Sequence, residues 1–472
     1  MADRNPVRRS SKTEGNVFMR TGMALADWSE RWFPDALVFA MGAVVIVFAG
    51  GLVSGSTASD LIGDFGDGFW KLVPFTMQMV MIIIGGYVVA TSLPVARLVR
   101  RLAAVPRTPR SAVAFVALVS TTSSLVSWGF SLIFSALLVR EIVQRVRGVD
   151  YRAASAAAYL GMGSVWGLGL SSSAALMMAT PAAIPPELLR VSGRIPLTET
   201  IFTWQSVLTA FVLILVSVSV AYVSAPTAEN SKTAETLGVS VKPSVLIVEN
   251  RSSPGEWLEH SGVLTIFICA IGFTYLGQIV FARGLRAALD LNTYNFLFIT
   301  LGLLLCWTPR AFARAVAGSV PATAGVLIQF PFYAGIFAMV TKSSMSQQLA
   351  QFFVHISTER TYPILIALYS SALGMFVPSG GGKWLIEAPY VLQAAIQNRV
   401  NLGWVVQIYN TAEALPNLIN PFWMLPLLGL LGIRARQMVG YTVLQLLVNL
   451  PLVFFLMWLL ARTLPYRPPI PL

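Results

Sequence analysis

Ser127-Trp128-Gly129 and Pro378-Ser379-Gly380-Gly381-Gly382 interrupt two apolar stretches of the sequence, residues 111–139 and 361–398. Glycine and proline favour turns over continuous helix, so each stretch is predicted to hold two helical pieces joined at a break. A shift of 251 residues, the difference between 379 and 128, places one break on the other. The same shift aligns three pairs of identical residues: Gln78 with Gln329, Val126 with Val377, and Gly129 with Gly380. These matches predict an internal repeat.

The composition predicts an all-α polytopic membrane protein. Of the 472 residues, 56% are hydrophobic and 11% are charged, whereas soluble proteins carry about 25% charged residues. Apolar runs of ~20 residues match the ~30 Å thickness of a bilayer core. Nine further runs have roughly this character and predict about nine spans: 34–54, 68–92, 153–180, 200–223, 261–282, 292–306, 318–341, 403–430 and 437–461.

Basic residues predict the orientation. Residues 97–110 carry five arginines and no acid, and residues 140–152 carry four arginines against two acids. Because cytosolic loops are enriched in Lys and Arg, both flanks of 111–139 are predicted to be cytosolic, which makes this stretch a re-entrant hairpin. With a cytosolic N-terminus, 22 of the 33 Lys and Arg residues fall in inner segments, 9 in outer segments and 2 in the membrane. The reversed orientation would place only 9 inside and is rejected.

The two halves are predicted to be inverted repeats. In this topology run 68–92 crosses from outside to inside, whereas its counterpart 318–341 crosses from inside to outside. Inverted repeats with broken helices are typical of secondary transporters, which bind substrate near the bilayer midplane. The predicted organisation is a cytosolic basic leader (1–33), a first membrane repeat (34–223), a polar linker (224–260), an extra span with the second repeat (261–461) and a C-terminal tail (462–472).

The two breaks form the predicted substrate site, since irregular backbone at membrane depth is tolerated only where it is buried or lines a cavity. Backbone N–H groups at a helix start can hold a carboxylate, and a nearby lysine can add positive charge. The candidate substrate-binding residues are Ser379, Gly380, Gly381, Gly382, Lys383, Ser127, Trp128, Gly129, Gln78 and Gln329. Two alternatives stay open: the glycines serve close helix packing, and Lys383 pairs with Glu387 on one helix face.

A coupling cation, Na+ or H+, is predicted near the breaks. A second irregular stretch follows each hairpin, around residues 161–173 and 410–421. Hydroxyl and amide oxygens suit sodium, whereas a buried carboxylate suits a proton because burial favours its neutral form. The candidate ligands are Ser123, Ser127, Asn410, Glu413 and Asn417. Glu413 is the most notable of them, because ionisable residues within spans are costly and usually functional; the alternative is an interfacial or paired carboxylate.

Other function classes find no support in the sequence. It contains no nucleotide-binding loop, metal-ligand cluster or nucleophile motif, which argues against an ATP-driven pump, an enzyme and a cofactor or structural metal. The net charge of +12 is explained by short basic loops between apolar runs rather than by nucleic-acid binding. The expected partners are therefore the lipid bilayer and a small substrate.

Eight motifs occur in order along residues 17–461: Arg31-Trp32-Phe33-Pro34-Asp35, Gly66-Asp67-Gly68-Phe69-Trp70, Met77-Gln78-Met79, Trp128-Gly129-Phe130, Arg140-Glu141, Gln329-Phe330-Pro331-Phe332-Tyr333-Ala334-Gly335, Pro378-Ser379-Gly380-Gly381-Gly382 and Pro421-Phe422-Trp423. Together they resemble the bacterial short-chain fatty acid transporter family. The resemblance implies uptake of small monocarboxylates, such as butyrate or acetoacetate, across the cell inner membrane. Lys383 and Glu387 depart from the family pattern, which has histidine and glutamine at these places.

The resemblance also implies kinship with the ion transporter superfamily, whose divalent-anion–sodium symporters have inverted repeats and re-entrant hairpins. A homodimer is expected by the same analogy. The predicted function is secondary active transport of short-chain fatty acids by cation-coupled symport. The alternatives are a carrier of another small organic anion, or a cation or proton antiporter of the same superfamily.

Overall fold

The computed structural model describes residues 36–241, 253–376, 379–420 and 422–469, and every regular element in these ranges is helical. The all-α prediction is therefore confirmed. The helices are α1 (Ala36–Val53), α2 (Ala58–Phe69), α3 (Val73–Thr91), α4 (Leu93–Leu102), α5 (Pro109–Ser124), α6 (Trp128–Arg145), α7 (Tyr151–Leu160), α8 (Ser173–Ala179), α9 (Pro186–Ser192), α10 (Trp204–Ser224), α11 (Pro254–Glu259), α12 (Gly262–Arg283), α13 (Leu285–Ala288), α14 (Leu291–Cys306), α15 (Pro309–Ser319), α16 (Ala324–Lys342), α17 (Met345–Ile356), α18 (Tyr362–Phe376), α19 (Gly380–Gln397), α20 (Leu402–Ala414), α21 (Leu425–Leu431) and α22 (Ala435–Ala461).

The apolar helices make this a multi-pass membrane protein. Within the described ranges, five helical segments are long and apolar enough to cross a bilayer: Val73–Thr91, Trp204–Ser224, Pro254–Arg283, Pro309–Lys342 and Ala435–Ala461. Three shorter apolar helices, Ala40–Val53, Leu291–Cys306 and Tyr362–Met375, add to them. The count of about nine spans stays a prediction, and the predicted leader 1–33 lies outside the described residues.

Helix α12 shows how the chain meets lipid. Its buried residues are Thr265, Cys269, Gly272 and Leu276, which follow the spacing of one narrow helix face. That face packs against α14. Most of the remaining surface is apolar, with Thr274, Gln278 and Arg283 as exposed polar residues in the C-terminal half, and the Phe281 side chain is 95% exposed. A continuous exposed apolar surface of this kind suits contact with acyl chains rather than water.

Two of the predicted spans are broken helices. Run 153–180 consists of α7, a π-helical turn (Gly161–Val165), a 3₁₀ turn (Trp166–Leu168) and α8. Run 403–430 consists of α20, two 3₁₀ turns (Leu415–Leu418 and Phe422–Met424) and α21. Close packing explains part of the first break, because a Cβ atom on Gly161 would lie 2.3 Å from the Ser120 carbonyl oxygen. Irregular turns of this type occur often at functional sites.

Helix starts recur along the chain at nearly constant spacing. The starts of α3 and α16, at residues 73 and 324, differ by 251. Those of α5 and α18 (109 and 362) differ by 253, those of α6 and α19 (128 and 380) by 252, and those of α7 and α20 (151 and 402) by 251. The packing recurs as well, since α3 contacts α6 as α16 contacts α19, and α5 contacts α7 as α18 contacts α20.

The two broken helices run in opposite directions. The Tyr151 hydroxyl, at the start of α7, donates to the Leu431 carbonyl at the end of α21, 2.8 Å away. At the other end of the molecule, the start of α20 packs against the chain that follows α8, where a Cβ on Gly403 would lie 2.2 Å from the Glu199 carbonyl oxygen. The breaks of the two helices therefore lie side by side in the interior, and a Cβ on Gly163 would meet Leu418 Cδ2 at 2.3 Å.

Helices α5 and α6 form a hairpin, and α18 and α19 form a second one. Within each hairpin, the two helices pack against each other. The open end of the first hairpin is closed by contacts around Gly148, where an added Cβ atom would lie 3.8 Å from Pro109 Cγ. At the open end of the second, the Asn398 amide donates to the Ser357 hydroxyl at 3.2 Å. We call the residues between the paired helices, 125–127 and 377–379, the first tip and the second tip.

Candidate functional site

The first tip is fastened to the break in the first broken helix. The Ser127 hydroxyl accepts the Phe130 N–H at 3.3 Å and so caps the start of α6. The Trp128 N–H donates to the Ser171 hydroxyl at 2.9 Å, and the Leu170 N–H donates to the Leu125 carbonyl at 2.7 Å. Ser127, Trp128 and Gly129 thus lie where the sequence predicted a tip, in direct contact with the irregular stretch 161–173.

Hydroxyl groups near the first tip donate hydrogen bonds to backbone carbonyls of their own helix. Ser123 Oγ donates to the Val119 carbonyl at 2.6 Å and lies 3.0 Å from Ser131 Oγ. Ser124, Thr121 and Thr122 likewise bond backbone carbonyls three or four residues before them. The five predicted ion ligands thus belong to two elements: Ser123 and Ser127 bond within the first hairpin, whereas Asn410, Glu413 and Asn417 belong to the second broken helix.

The second tip continues into a tightly enclosed helix start. Ser379 Oγ accepts the Gly382 N–H at 3.3 Å and caps α19, as Ser127 caps α6. A Cβ atom on Gly380 would lie 2.4 Å from Trp166 Cη2, and one on Gly382 would lie 2.3 Å from Tyr333 Cδ2. Gly381 has slightly more room, with Phe75 Cζ at 3.1 Å. Glycine is required here because aromatic side chains approach the backbone, and Val377 and Pro378 lie outside the described residues.

Lys383 and Glu387 form a fully buried ion pair. Lys383 Nζ is 3.2 Å from Glu387 Oε1, and neither side chain is exposed. The ammonium also donates to the Ser370 carbonyl at 2.7 Å and lies 4.6 Å from the centre of the Tyr409 ring. The Ser370 hydroxyl donates to Glu387 Oε2 at 2.7 Å. The pairing of Lys383 with Glu387, which the sequence left as an alternative, is present.

Glu413 is buried beside the second tip without a local counter-charge in hydrogen-bond contact. Its exposed fraction is 1%, and neither carboxylate oxygen has a hydrogen-bond partner among the described residues. Glu413 Oε2 lies 3.3 Å from the position a Cβ on Gly380 would occupy. A carboxylate at this place faces the start of α19, where backbone N–H groups are free of intrahelical acceptors.

Further unpaired polar atoms lie close to this carboxylate in the chain. Asn410 precedes Glu413 by three residues on α20, and Asn417 follows it by four residues in the 3₁₀ turn Leu415–Leu418. The Asn410 Oδ1 atom and both polar atoms of the Asn417 side chain lack a hydrogen-bond partner within the described chain, and so does the buried Tyr159 hydroxyl. Tyr159 and Glu413 interact electrostatically. Buried polar groups are almost always satisfied in proteins, so this set has the character of a site for a proton or a cation.

The two predicted glutamines lie on α3 and α16 and have different partners. The Gln78 amide donates to Asn292 Oδ1 at 2.5 Å, and its backbone carbonyl accepts the Asn295 amide at 2.8 Å, so Gln78 joins α3 to α14. Gln329 Oε1 accepts the Tyr333 hydroxyl at 3.3 Å. Because Tyr333 also packs against Gly382, Gln329 is linked to the start of α19, whereas the hydrogen bonds of Gln78 lead to α14.

Sequence reasoning missed four polar residues of this region: Ser370, Gln407, Tyr409 and Tyr159. Ser370 and Tyr409 contact the Lys383–Glu387 pair, and Gln407 accepts the Asn410 amide N–H. The Tyr409 hydroxyl donates to the Gly380 carbonyl at 2.6 Å and so ties α20 to the second tip. Tyr159 had a signal in the sequence, since 410 − 251 = 159 makes it the counterpart of Asn410 in the repeat.

Comparisons with known proteins agree with this architecture. The family described as short chain fatty acid transporter matches residues 17–460. A protein of Escherichia coli (strain K12), provisionally named a short-chain fatty acid transporter, is 35% identical over 428 residues, which cover 89% of this chain and 94% of the relative. A Haemophilus influenzae protein with the same provisional name is 30% identical over 443 residues, covering 92% and 98%.

Two solved structures share the fold. The YdaH transporter of Alcanivorax borkumensis, described as having an unusual topology, has a TM-score of 0.56 at 14% identity and covers 91% of this chain and 98% of its own. MtrF of Neisseria gonorrhoeae, described within a class of antimetabolite efflux pumps, has a TM-score of 0.56 at 14% identity, covering 94% and 96%. At this identity the likeness concerns the fold alone. The chain belongs to the short-chain fatty acid transporter family, a family of transporters and not of enzymes.

Proposed function

We propose that the protein is a secondary active transporter that takes up small monocarboxylates, such as butyrate or acetoacetate, together with a cation. The observation that carries this proposal is the Glu413 carboxylate, which is buried beside the second tip with no hydrogen-bond partner within the described chain. A carrier that must release its cation cannot satisfy such a group permanently with its own side chains. Names of the two bacterial relatives support the substrate class.

The proposed architecture is a pair of inverted repeats with two re-entrant hairpins and about nine spans, set in the inner membrane with the N-terminus in the cytosol. Support comes from the helix starts that recur 251 to 253 residues apart. The opposite directions of α7 and α20 support it further. Cysteines placed at Ser124 and Ser379 would be labelled from opposite sides of the membrane. Labelling of both from one side in every condition would contradict the inverted arrangement.

The substrate carboxylate is proposed to bind where the second tip meets the start of α19, along Ser379, Gly380, Gly381 and Gly382. N–H groups at the start of α19 supply hydrogen bonds there, and the helix dipole adds a partial positive charge. The Lys383 ammonium contributes its field from within the ion pair. The first tip with Ser127, Trp128 and Gly129, and the glutamines Gln78 and Gln329, are proposed to line the rest of the path.

Gly381 offers the sharpest substitution at this substrate site. A Cβ there would have Phe75 Cζ at 3.1 Å and Ser173 Cβ at 3.4 Å, so the neighbours need to move only slightly. We expect Gly381→Val to fold and to lose butyrate uptake, because its methyl groups occupy the space beside the N–H groups. Gly277→Val is the matched control, since a Cβ on Gly277 in α12 meets nothing within 4 Å. Normal uptake by Gly381→Val would place the anion elsewhere.

Uptake of radiolabelled butyrate by proteoliposomes tests the function itself. Separate inward gradients of Na+ and of H+ are imposed, and liposomes without protein serve as the control. We expect accumulation with one of the two gradients. Accumulation of a different organic anion in place of butyrate would support another substrate in the same superfamily. Efflux of a cation without any carboxylate movement would support the antiporter alternative.

A further inference from the structure

The three helices around the second tip carry an odd number of charges. Helix α18 has no ionisable acid or base, α19 has Lys383 and Glu387, and α20 has Glu413. One positive and two negative groups sum to −1. In the first half, the corresponding interior positions of α6 and α7 carry no charge, and Arg140, Glu141, Arg145 and Arg152 lie toward the helix ends.

Lys383 is fully engaged with its own neighbours. Glu387, the Ser370 carbonyl and the Tyr409 ring surround the ammonium at 3.2, 2.7 and 4.6 Å. Taking one partner from a buried ion pair leaves an uncompensated charge in a medium of low polarity, which is strongly unfavourable. The ammonium therefore acts as the permanent counter-charge of Glu387, and the second carboxylate, Glu413, is left over.

A chain of hydrogen bonds shows which atom of the Asn410 amide is left unbonded. The Ser206 hydroxyl donates its proton to the Thr200 carbonyl at 2.7 Å, so it accepts from the Gln407 amide N–H at 3.1 Å. Gln407 Oε1 then faces the Asn410 amide N–H, 3.1 Å away. The direction of the chain is thereby fixed, and the unbonded Asn410 Oδ1 is its inner end.

The surroundings of Glu413 are thus rich in acceptors. Asn410 Oδ1 and Asn417 Oδ1, close to Glu413 in the chain, are acceptors without a hydrogen-bond partner among the described residues. The Tyr159 hydroxyl, the Asn417 amide and the Trp166 indole N–H are unpaired donors of the same region within the described chain. A group of oxygens with one unbalanced negative charge fits a single monovalent cation, either Na+ or a proton on the carboxylate.

We propose that Lys383 is a built-in counter-cation, so that the carrier takes up one external cation, at Glu413, for each carboxylate. This inference rests on the proposed function and adds its stoichiometry and the role of Lys383. One cation and one carboxylate sum to zero charge, so the transport cycle is electroneutral. Lys383 is a positioning residue in this scheme, since it acts on the cation through Glu387 and Glu413.

The first test measures the unmodified protein. Proteoliposomes are loaded with a fixed cation gradient, and the membrane potential is set between 0 and −100 mV with K+ and valinomycin. We expect the final butyrate accumulation ratio to change by less than about twofold, because no net charge moves. Two cations per carboxylate would raise the ratio by about 50-fold per 100 mV, and entry of the anion alone would lower it by the same factor. Either result overturns the proposal.

The second test uses single and double variants of the ion pair. Lys383→Met makes the cluster more negative, and we expect the apparent dissociation constant of the coupling cation to fall about tenfold. Glu387→Gln makes the cluster neutral, and we expect the apparent dissociation constant of the coupling cation to rise about tenfold. The double variant Lys383→Met/Glu387→Gln restores a charge of −1. Its apparent dissociation constant for the coupling cation is expected to lie within about twofold of that of the unmodified protein, and its uptake should be electroneutral.

Controls separate this role from a purely structural one. If Lys383 and Glu387 only stabilise the fold, both single variants will yield less folded protein. The folded fraction will then bind the coupling cation with an unchanged apparent dissociation constant. Lys342→Met is the matched control, since Lys342 pairs with Asp64 at 2.7 Å in a more exposed place; its cation constant should not change. The double variant keeps the test decisive where a single variant fails to fold. Gradient-driven but potential-dependent uptake overturns this inference and leaves the proposed function standing, whereas absence of butyrate uptake under every gradient overturns both.

Discussion

The two broken helices have the same architecture and opposite chemistry. Asp150 and Asn401, 251 residues apart, cap α7 and α20 by accepting backbone N–H groups. With this register, Tyr159, Met162 and Trp166 of the first helix correspond to the predicted ion ligands of the second, which are Asn410, Glu413 and Asn417. The two helices therefore share their scaffold, while the carboxylate and amides of this predicted site have no counterpart in the first helix.

The hairpins differ in the same way. Their capping serines, Ser127 and Ser379, are 252 residues apart, one more than the shift that aligns the flanking glycines. In the register of the caps, Ser131 and Ser135 stand where Lys383 and Glu387 form the buried ion pair. The two hairpins therefore share their caps, and the buried charges lie at the second one.

The largest asymmetry in stability is expected at the helix caps. Asp150 accepts two N–H groups at the start of α7, pairs with Arg152 at 2.6 Å and accepts the Lys232 N–H at 3.0 Å. Asp150→Ala leaves the buried Arg152 guanidinium without its carboxylate partner and should cost about 3 kcal/mol. Asn401→Ala removes a neutral cap and should cost about 1 kcal/mol. Chemical unfolding in detergent measures both, and equal losses would contradict the asymmetry.

Steric crowding should distinguish the two tips next. Gly380→Ala forces a Cβ to within 2.4 Å of Trp166 Cη2, which should cost about 1–3 kcal/mol and lower uptake. At the first tip, a Cβ on Gly129 meets the Ile82 carbonyl oxygen at 3.2 Å, so Gly129→Ala should cost less. The two melting temperatures, measured side by side, give the comparison. A larger loss at Gly129 would show that the first tip is the more tightly packed one.

The smallest effect concerns a contact that both halves share. Ser120 Oγ donates to the Ala158 carbonyl at 2.7 Å, and Ser371 Oγ donates to the Ala412 carbonyl at 2.8 Å. Each hydroxyl holds a hairpin against its broken helix. Ser371→Ala should cost about 1 kcal/mol. Ser120→Ala should cost more, because Ser120 Oγ also accepts the buried Gly161 N–H at 3.0 Å; butyrate affinity should be unchanged in both. A loss of affinity in one variant only would mean that the contact serves transport in that half.

Local patterns in the sequence predicted the helical fold and the places where it is interrupted. The first tip lies at 125–127, beside the predicted Trp128, and the irregular stretches 161–173 and 410–421 contain the π and 3₁₀ turns. Glycine, proline and apolar length determine these features locally. The same local rules identified Glu413, because an acid inside an apolar run is conspicuous whatever it contacts.

Long-range partners could not be predicted in the same way. Gln78 was predicted as a candidate for the substrate site; its amide bonds Asn292 of α14, 214 positions away, and nothing in its sequence neighbourhood indicates this partner. The pairing of Lys383 was left open because a lysine four residues from a glutamate can turn to its neighbour or to a ligand. Ser370 and Tyr409 decide it here, and both come from other helices.

The central claim is that Glu413 makes the second half the cation-coupling half. The most direct measurement compares Glu413→Gln with Met162→Leu, its counterpart in the first half, in proteoliposomes that carry the coupling gradient. Glu413→Gln should lose gradient-driven butyrate accumulation while keeping exchange of butyrate for butyrate, because the substrate still binds without the cation. Met162→Leu should keep both. Intact, cation-dependent accumulation in Glu413→Gln would contradict the account.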